Sequence, residues 1–512
     1  MKKIILLSAA VLMIAACSRE SRPNIIFIMT DDHAEKAISA YDSSLIKTPN
    51  IDRLATEGVR FSNSYVTNSI CAPSRAVLLT GKYSHMNGQR DNRDVFDGGQ
   101  MTFPKLLQEA GYQTAMIGKW HLKSTPTGFD DWRVLRGQGR YYNPLFFENG
   151  DTVKYEGYTT DIITDMVIDF LQNRDKDKPF CMLYHHKAPH RNWMPAGRHI
   201  GTFAEREFQL PATFYDDYST REKTAGVQDM EIKDMLLGYD MKIHFLPGER
   251  EMFTGGSQSI NWDGTGSWKN VYNALTPSQK EVFDSYYDKV NAEYRNSDLS
   301  GKELEEWKFQ RYMEDYLGCI ISVDENIGRL LDYLDEEGLA ENTIVVYTSD
   351  QGFYLGEHGW YDKRFMYEES FSMPLLVRYP EKIRPGSVNE EFVLNLDFAP
   401  TFLDYAGVEI PEEIQGTSMR SLFENKKSEP WRQSVYYHYY AYPAWHDVHK
   451  HDGVRNKDYK LIHYYEIGVW ELFDLENDPH ELRNVYEDDE YAGIRQDMEK
   501  KYRELRKEFK VE

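Results

Sequence analysis

Four short runs of the chain are apolar almost throughout, and each ends abruptly in polar residues. Asn24 to Met29 runs into Thr30-Asp31-Asp32, and Tyr112 to Gly118 into Lys119-Trp120-His121. Phe180 to Tyr184 runs into a polar stretch from His185 to His190, and Thr343 to Thr348 into Ser349-Asp350-Gln351-Gly352. Continuous apolar runs of this length predict strands buried on both faces, as in parallel sheets. Helical patterns lie between them. Phe103 to Ala110 opens after Thr102 with Pro104 early and stops at Gly111, as capping preferences expect. Tyr316, Ile320, Val323, Ile327, Leu330, Leu331 and Leu334 fall at helical spacing, with an end near Gly338. Strand and helix alternate over residues 24–405, which predicts one large α/β domain. Ligand sites in open α/β sheets lie beyond the carboxyl ends of the strands, so the four polar clusters are expected to meet in one cleft.

The pattern changes twice. Residues 195–310 are rich in charge and aromatics and poor in β-branched runs, which predicts a largely helical and loop insertion covering one side of the cleft. From about residue 430, Ser434 to Tyr440, Tyr459 to Tyr465 and Trp470 to Leu475 predict strands of a smaller sheet, closed by a helix over Ile494 to Phe509. The expected organisation is an export segment at 1–16, a catalytic domain at 17–425 containing the insertion, and a C-terminal subdomain at 426–512.

The first residues carry chemistry of their own. Lys2 and Lys3 precede an apolar stretch from Ile4 to Ala16 that is too short to span a bilayer. It ends in Ile14-Ala15-Ala16-Cys17, which resembles a bacterial lipoprotein box, and the resemblance makes Cys17 the lipidated first residue of the mature protein. No later stretch is long and apolar enough for a transmembrane helix. The expected location is therefore the cell envelope of a bacterium, on a lipid tether to the outer or inner membrane, facing the periplasm rather than the outside. Of the other cysteines, Cys181 lies in an apolar strand and Cys319 on a helix. They read as buried thiols, with a bridge between them the other pattern an exported chain allows.

Composition narrows the function. The chain has 512 residues, 41% hydrophobic and 14% aromatic, enough for a large core, and a formal net charge of −23. Such acidity excludes a nucleic-acid partner held by bulk charge, and it repels any polyanion unless a local basic pocket reverses the field. Within the cleft, Asp31, Asp32 and Asp350 crowd like charges that a cation would compensate. Oxygen donors suit a hard ion, Ca²⁺ or Mg²⁺, although such pairs on their own are more often solvated loop carboxylates. Cys71-Ala72-Pro73-Ser74-Arg75, running on to Gly81, predicts a short helix with Cys71 near its N-terminus, where free N–H groups favour an anion. Arg75, four residues on, shares that face.

Cys71-x-Pro73-Ser74-Arg75 followed by Leu79-Thr80-Gly81 resembles the signature of the type I sulfatases. So do Thr30-Asp31-Asp32, the block from Thr48 to Ala55, Gly118-Lys119-Trp120-His121, His186-Lys187-Ala188-Pro189-His190, Ser349-Asp350-Gln351-Gly352, Gly356-Glu357-His358-Gly359 with Lys363, and Leu472 to Pro479. The resemblance implies an alkaline phosphatase-like α/β fold: a large mixed sheet sandwiched by helices, with a smaller C-terminal α+β subdomain carrying an antiparallel sheet. It implies that a dedicated maturation enzyme oxidises Cys71 to formylglycine, whose hydrated aldehyde is the nucleophile. It assigns Asp31, Asp32, Asp350 and Gln351 to Ca²⁺, with residue 71 completing the site. Gln351 stands where many members carry Asn or His. Arg75 and Lys119 are implied to hold the nucleophile and a sulfate oxygen, Lys363 to hold sulfate from the other side, His190 to serve the leaving oxygen and His121 the second step.

The stretch from Pro189 to Pro195, that from Phe214 to Tyr218, and Tyr361-Asp362-Lys363-Arg364 are similar to bacterial N-acetylglucosamine-6-O-sulfatases. This implies removal of 6-O-sulfate from N-acetylglucosamine in heparan, keratan or mucin fragments. Candidate sugar contacts are Trp193, Arg364, Trp445, His446, Asp447, His449, His451 and Arg455; the histidine-rich stretch reads equally as a solvated loop. The alternatives are a 2-O- or 3-O-glycan sulfatase, a phosphonate monoester or phosphodiester hydrolase, and a non-catalytic glycan-binding lipoprotein. The net charge favours an exo-acting enzyme that takes a sugar end into a local pocket.

Overall fold

The computed structural model describes residues 22–253, 262–426 and 430–511. The expected export segment and the lipidation residue Cys17 lie outside the described residues. All four apolar runs form strands: Asn24–Thr30, Gln113–Gly118, Phe180–His185 and Thr343–Ser349. They are neighbours at the centre of a ten-stranded sheet and run parallel, in the order Thr343–Ser349, Asn24–Thr30, Phe180–His185, Gln113–Gly118. Leu375–Arg378 pairs antiparallel with Thr343–Ser349, which makes the sheet mixed.

Both faces of this sheet are covered, as the unbroken hydrophobicity of its strands requires. Alternate side chains of Asn24–Thr30 enter two separate cores: Ile25, Phe27 and Met29 one, Ile26 and Ile28 the other. Helices Cys71–Thr80, Phe103–Glu109 and Phe398–Ala406 pack on the first face. Helices Thr159–Asn173 and Gly301–Glu336 pack on the second, the latter carrying the predicted stripe from Tyr316 to Leu334. Cys181 falls in one core and Cys319 in the other, both buried free thiols.

The registers set the site. Thr30 pairs with Ser349, and both Met29 and Gly118 pair with His185. The strands therefore end level, and the residues after them emerge together. Gly118 makes this possible: a Cβ on it would lie 1.8 Å from the His185 carbonyl oxygen, and its φ of +109° suits only glycine.

Residues 195–310 contain the helices Gly264–Asn273 and Pro277–Asn296 and long loops. The C-terminal part is a four-stranded antiparallel sheet backed by helix Ala492–Glu508. Its second strand, His451–Asn456, is a correction to the sequence reading, which left this stretch as candidate sugar contacts or a solvated loop. The strand is polar in sequence yet buried. Asp452 is satisfied by the Tyr436 and Tyr502 hydroxyls and by Arg506, so it escapes a hydrophobicity pattern without being exposed.

Candidate active site

At the level strand ends, three carboxylates converge. Oxygens of Asp31, Asp32 and Asp350 lie within 4.8 Å of one another, and all three residues are buried. Asp32 sits in the left-handed region (φ 67°), a conformation Asp tolerates, and its backbone N–H donates to Asp350 Oδ1 at 3.2 Å. Three buried cations interleave with them. Lys363 Nζ donates to both Asp32 oxygens at 2.7 and 2.8 Å. Lys119 donates to Asp31. Arg75 Nη2 meets Asp350 Oδ2 at 2.9 Å and lies 3.8 Å from Asp31.

The helix Cys71–Thr80 brings Cys71 to this cluster. Cys71 is its first residue, and every residue of the helix is buried. The Cys71 Sγ lies 3.3 Å from Asp31 Oδ1. Arg75, one turn on, reaches the same carboxylates and the Lys119 carbonyl, which fixes the helix against two strand ends. Burial, reinforced by Asp31, pushes the Cys71 thiol well above its usual range. As a thiol it stays protonated and is a poor nucleophile.

The donor set fits a hard divalent ion. Burial raises Asp32 to about 6 and Asp350 to about 7, with Asp31 adding to both, against the pull of Lys363 and Arg75. Three cations thus leave these two carboxylates under-compensated. Burial also works to raise Asp31, but the charges of Lys119 and Arg75 overcome it and hold Asp31 well below the usual range. The Gln351 amide reaches the point where Asp32 and Asp350 meet, donating to both, while its Oε1 is buried without a partner. An orphaned carbonyl oxygen beside converging carboxylates is the ligand chemistry that Ca²⁺ and Mg²⁺ use. The longer arm of Gln351 does not prevent its approach.

Two histidines border the cluster. His190 Nδ1 is 2.6 Å from the Arg191 carbonyl, so it carries the proton, and Nε2 points at Asp32 Oδ2, 3.8 Å away. Burial, with Lys119 and Lys363, holds its imidazole well below the usual range. His121 lies among the fields of Lys119, Asp31 and Arg75; burial first, then Lys119, keeps it neutral, and its Nδ1 is unpartnered.

Above the charged floor opens a cavity of about 550 Å³ whose walls include Cys71, His190, Lys363, Arg364 and Trp445. Of the sequence candidates for sugar contact, these last two line it. Asp362, paired with Arg364 at 3.1 Å, lines it too, and buried His446 stands behind, its Nε2 3.5 Å from Asp362 Oδ2. Five candidates are placed elsewhere, His451 among them, in its buried strand where it accepts from the Met366 N–H. Trp193 is fully buried, its ring 4.7 Å from that of Tyr312, because the chain turns the indole into the core after Arg191. Arg455 pairs with Glu368 at 3.2 Å on a separate cavity. His449 packs on the Tyr442 ring, and Asp447 is buried beside His446; neither lines the catalytic cavity. The aromatic rim is supplied instead by Tyr239, Trp262 and Trp445. Asp91, Asn92, Arg93 and Arg191 complete the walls. Sequence reading missed Tyr239 and Trp262 because they sit in an insertion without periodicity. Asp362 and Arg191 were within reach, as immediate neighbours of Lys363 and His190.

Comparison with known proteins converges on one family. The profile "Sulfatase" matches residues 23–408, and "N-sulphoglucosamine sulphohydrolase, C-terminal" matches residues 356–508. An N-acetylglucosamine-6-O-sulfatase of Bacteroides thetaiotaomicron is 52% identical over 99% of this chain and 91% of its own. The human N-acetylglucosamine-6-sulfatase is 27% identical over 82% of this chain and 67% of its own. A solved structure of a protein in complex with its substrate D-glucosamine-2-N,6-O-disulfate superposes with a TM-score of 0.91 at 52% identity, covering 96% of this chain and 98% of that one. A phosphonate monoester hydrolase of Agrobacterium radiobacter, at 20% identity and a TM-score of 0.70 over 95% of this chain and 96% of its own, shares the fold.

Proposed function

The chain belongs to the sulfatase family, with its alkaline phosphatase-like fold, and from that premise we propose that it removes the 6-O-sulfate of an N-acetylglucosamine or glucosamine unit at the end of a glycan. It is a sulfuric ester hydrolase. The observation that carries the regiochemistry is the 52% identity, over nearly the whole chain, to an N-acetylglucosamine-6-O-sulfatase. The cavity agrees with it. Its charged floor lies below walls that would hold a ring, and a primary ester on the exocyclic C6 arm reaches such a floor while the ring stays between the walls. Asp362, Arg364 and His446 form a connected polar set suited to ring hydroxyls.

Oxidation of Cys71 to formylglycine by a maturation enzyme would replace an inert buried thiol with an oxygen nucleophile. A Ca²⁺ ion held by Asp31, Asp32, Asp350, Gln351 and residue 71 would polarise a sulfate oxygen and favour the ionised nucleophile. The chain's own groups do the rest. The Lys363 and Lys119 ammoniums both act on residue 71 and would bind sulfate oxygens, cancelling charge that grows in the transition state. Arg75 holds Asp350 and Asp31 in position. His190 is neutral with its Nδ1 proton tied to a carbonyl, so Nε2 must gain a proton before it can serve the leaving oxygen. The negative charge of a bound sulfate raises its basicity in the required direction. His121, neutral with an unpartnered Nδ1, is suited to accept a proton afterwards.

The mature chain is further proposed to sit in the bacterial envelope on a lipid at Cys17, which radiolabelled palmitate incorporation, lost in Cys17→Ser, would test. The test of function is a panel of 2-O-, 3-O- and 6-O-sulfated monosaccharides and short oligosaccharides, with free sulfate measured and products mapped, beside aryl phosphonates. Release from 6-sulfated N-acetylglucosamine is the expected result, with formylglycine at position 71 by mass spectrometry. Faster hydrolysis of a phosphonate, or of a ring 2-O- or 3-O-sulfate, would overturn it.

A further inference from the structure

A second cavity, of about 350 Å³, lies beside the catalytic one and differs from it in charge. Its volume falls in the range of small-molecule sites, ~300–1,000 Å³. Among the described residues no Asp or Glu lines it, whereas Arg90, Arg506, Lys510, His85 and His438 all do. In a chain of net charge −23 such a lining is not a sample of the average surface. Arg506 is committed to Asp452. Arg90 and Lys510 are exposed, and among the described residues neither makes an ion pair with a carboxylate. The guanidinium of Arg90 lies over the Tyr440 ring, 6.0 Å from its centroid. That ring stacks on His438 with centroids 3.8 Å apart and planes 16° from parallel, and Tyr465 offers a further hydroxyl, 3.1 Å from His438 Nε2. The cavity therefore combines flat aromatic faces, hydroxyls and two cations that no described carboxylate pairs with.

The same two stretches of chain wall both cavities. Asp91, Asn92 and Arg93 face the catalytic cavity and Arg90 the second; Ala441, Pro443, Ala444 and Trp445 contribute to the first and Tyr440 to the second. Arg93 ties the stretches together by donating to the Pro443 carbonyl at 3.3 Å. Arg90 and Tyr440 are thus the chain neighbours, on the second cavity, of residues that wall the catalytic one.

We propose that this second cavity is an oxyanion-binding subsite for a sulfated or carboxylated sugar unit of the same glycan whose end occupies the catalytic cavity. Aromatic faces suit the C–H face of a pyranose, and the cations suit its sulfate or carboxylate. The subsite would offset, over a small area, the repulsion the rest of the surface exerts on a polyanion. That the ligand is a glycan rests on the sulfatase reading; that the cavity binds an oxyanion does not.

Two measurements decide it. In the full-length protein carrying Arg90→Gln and Lys510→Gln, kcat/KM on 6-sulfated N-acetylglucosamine should stay within twofold of the parent. On a multiply sulfated tetrasaccharide it should fall about fivefold, in KM, as the loss of two exposed ion pairs predicts, and the difference should shrink at high salt. In Cys71→Ala protein, calorimetric titration with the same tetrasaccharide should show the double variant binding about fivefold more weakly. This arm is independent of turnover, so a protein inactive on both substrates would sink the catalytic reading while the subsite still stood or fell on binding. Equal losses on both substrates, unchanged tetrasaccharide affinity, or displacement by inorganic sulfate at the same concentration as the tetrasaccharide would each overturn the proposal, the last by making the ligand a free ion.

Discussion

Of the buried clusters of charge in this molecule, two that border cavities invite comparison, and only one of those two resembles a reaction centre. The floor of the catalytic cavity sets three carboxylates against three cations. The other cluster joins the C-terminal sheet to the large domain. There Lys460, fully buried, bridges Glu368 at 2.8 Å and Glu481 at 2.7 Å; Arg455 adds to Glu368, and Lys36 pairs with Glu357 at 2.8 Å. Glu35 and Glu369 stand close by, and among the described residues neither pairs with a Lys or Arg. The second cluster is thus richer in uncompensated acid than the first, and it also borders a cavity, of about 290 Å³. The difference is convergence. On the floor, oxygens from three residues meet within 4.8 Å, whereas among the described residues no three ligand atoms of the second cluster come so close. Excess acidity there is absorbed by protons: burial raises Glu35 and Glu369 to about 8 and Glu481 to about 7. Density of charge marks a buried junction; convergence on one point marks an ion site.

The largest expected effect separates the two directly. Asp350→Asn should lower kcat/KM by about 10³-fold or more, since it removes a proposed metal ligand and the partner of Arg75 at once. Chelation should abolish activity and added Ca²⁺ restore it. Ca²⁺ should also raise Tm in the parent, as an ion bound only by the native state must. Glu481→Gln should keep that Ca²⁺-dependent rise, and Asp350→Asn should lose it. Equal Ca²⁺ responses in the two variants would erase the distinction between the clusters.

The next effect runs the other way. Lys460→Met leaves Glu368 and Glu481 buried without their shared cation, a change expected to cost about 3–5 kcal/mol. Chemical denaturation should show it, with kcat/KM per folded molecule unchanged. Because the loss is that of uncompensated charge, adding Glu481→Gln should recover part of it. A fall in turnover without a fall in stability would place Lys460 in the catalytic machinery.

The clusters were unequally legible in the sequence. The floor could be read because its carboxylates and Lys119 follow apolar strands and Cys71 opens a short helix, so pattern and chemistry point to the same place; Lys363, in a loop, was legible only through the family resemblance. Residues of the second cluster come from the loop around Glu35, the short helix at Glu368, two strands of the small sheet and Glu481, and nothing local links them. The strand His451–Asn456 was hidden by its polar composition, and Trp193 by the rule that an indole near a motif is a platform, when its volume serves the core. Tyr239 and Trp262 reach the cavity from an insertion whose path only tertiary structure reveals.

His190 tests where the floor ends and the sugar begins. With Nε2 facing the reacting region and Nδ1 anchored to the Arg191 carbonyl, His190→Ala should cost about 10²-fold on a sugar sulfate, whose alkoxide leaving group needs a proton. On an aryl sulfate, whose phenolate does not, the cost should be under about fivefold. Equal losses on both would assign His190 to sulfate or metal binding, and so to the floor itself.

The smallest effect is a pH dependence that one residue of the second cluster contributes. Glu35 accepts a hydrogen bond from Ser372 Oγ at 2.8 Å, while its other oxygen is buried without a partner, an arrangement that a protonated carboxyl fits better than a carboxylate. Burial places its folded pKa at about 8, above the ~4.3 of an unfolded chain. Between those values the native state holds a proton that the unfolded state has released, so stability falls as pH rises through this window and levels off above it. Glu35→Gln keeps the acceptor for Ser372 and removes the titration. The variant should match the parent near pH 5 and exceed it by about 1–3 °C in Tm at pH 8.5, with kcat/KM unaltered. A difference independent of pH, or one that grows toward acid, would mean that Glu35 is ionised in the native state. The second cluster would then carry charge that no proton neutralises, and it would need a cation as much as the catalytic floor does.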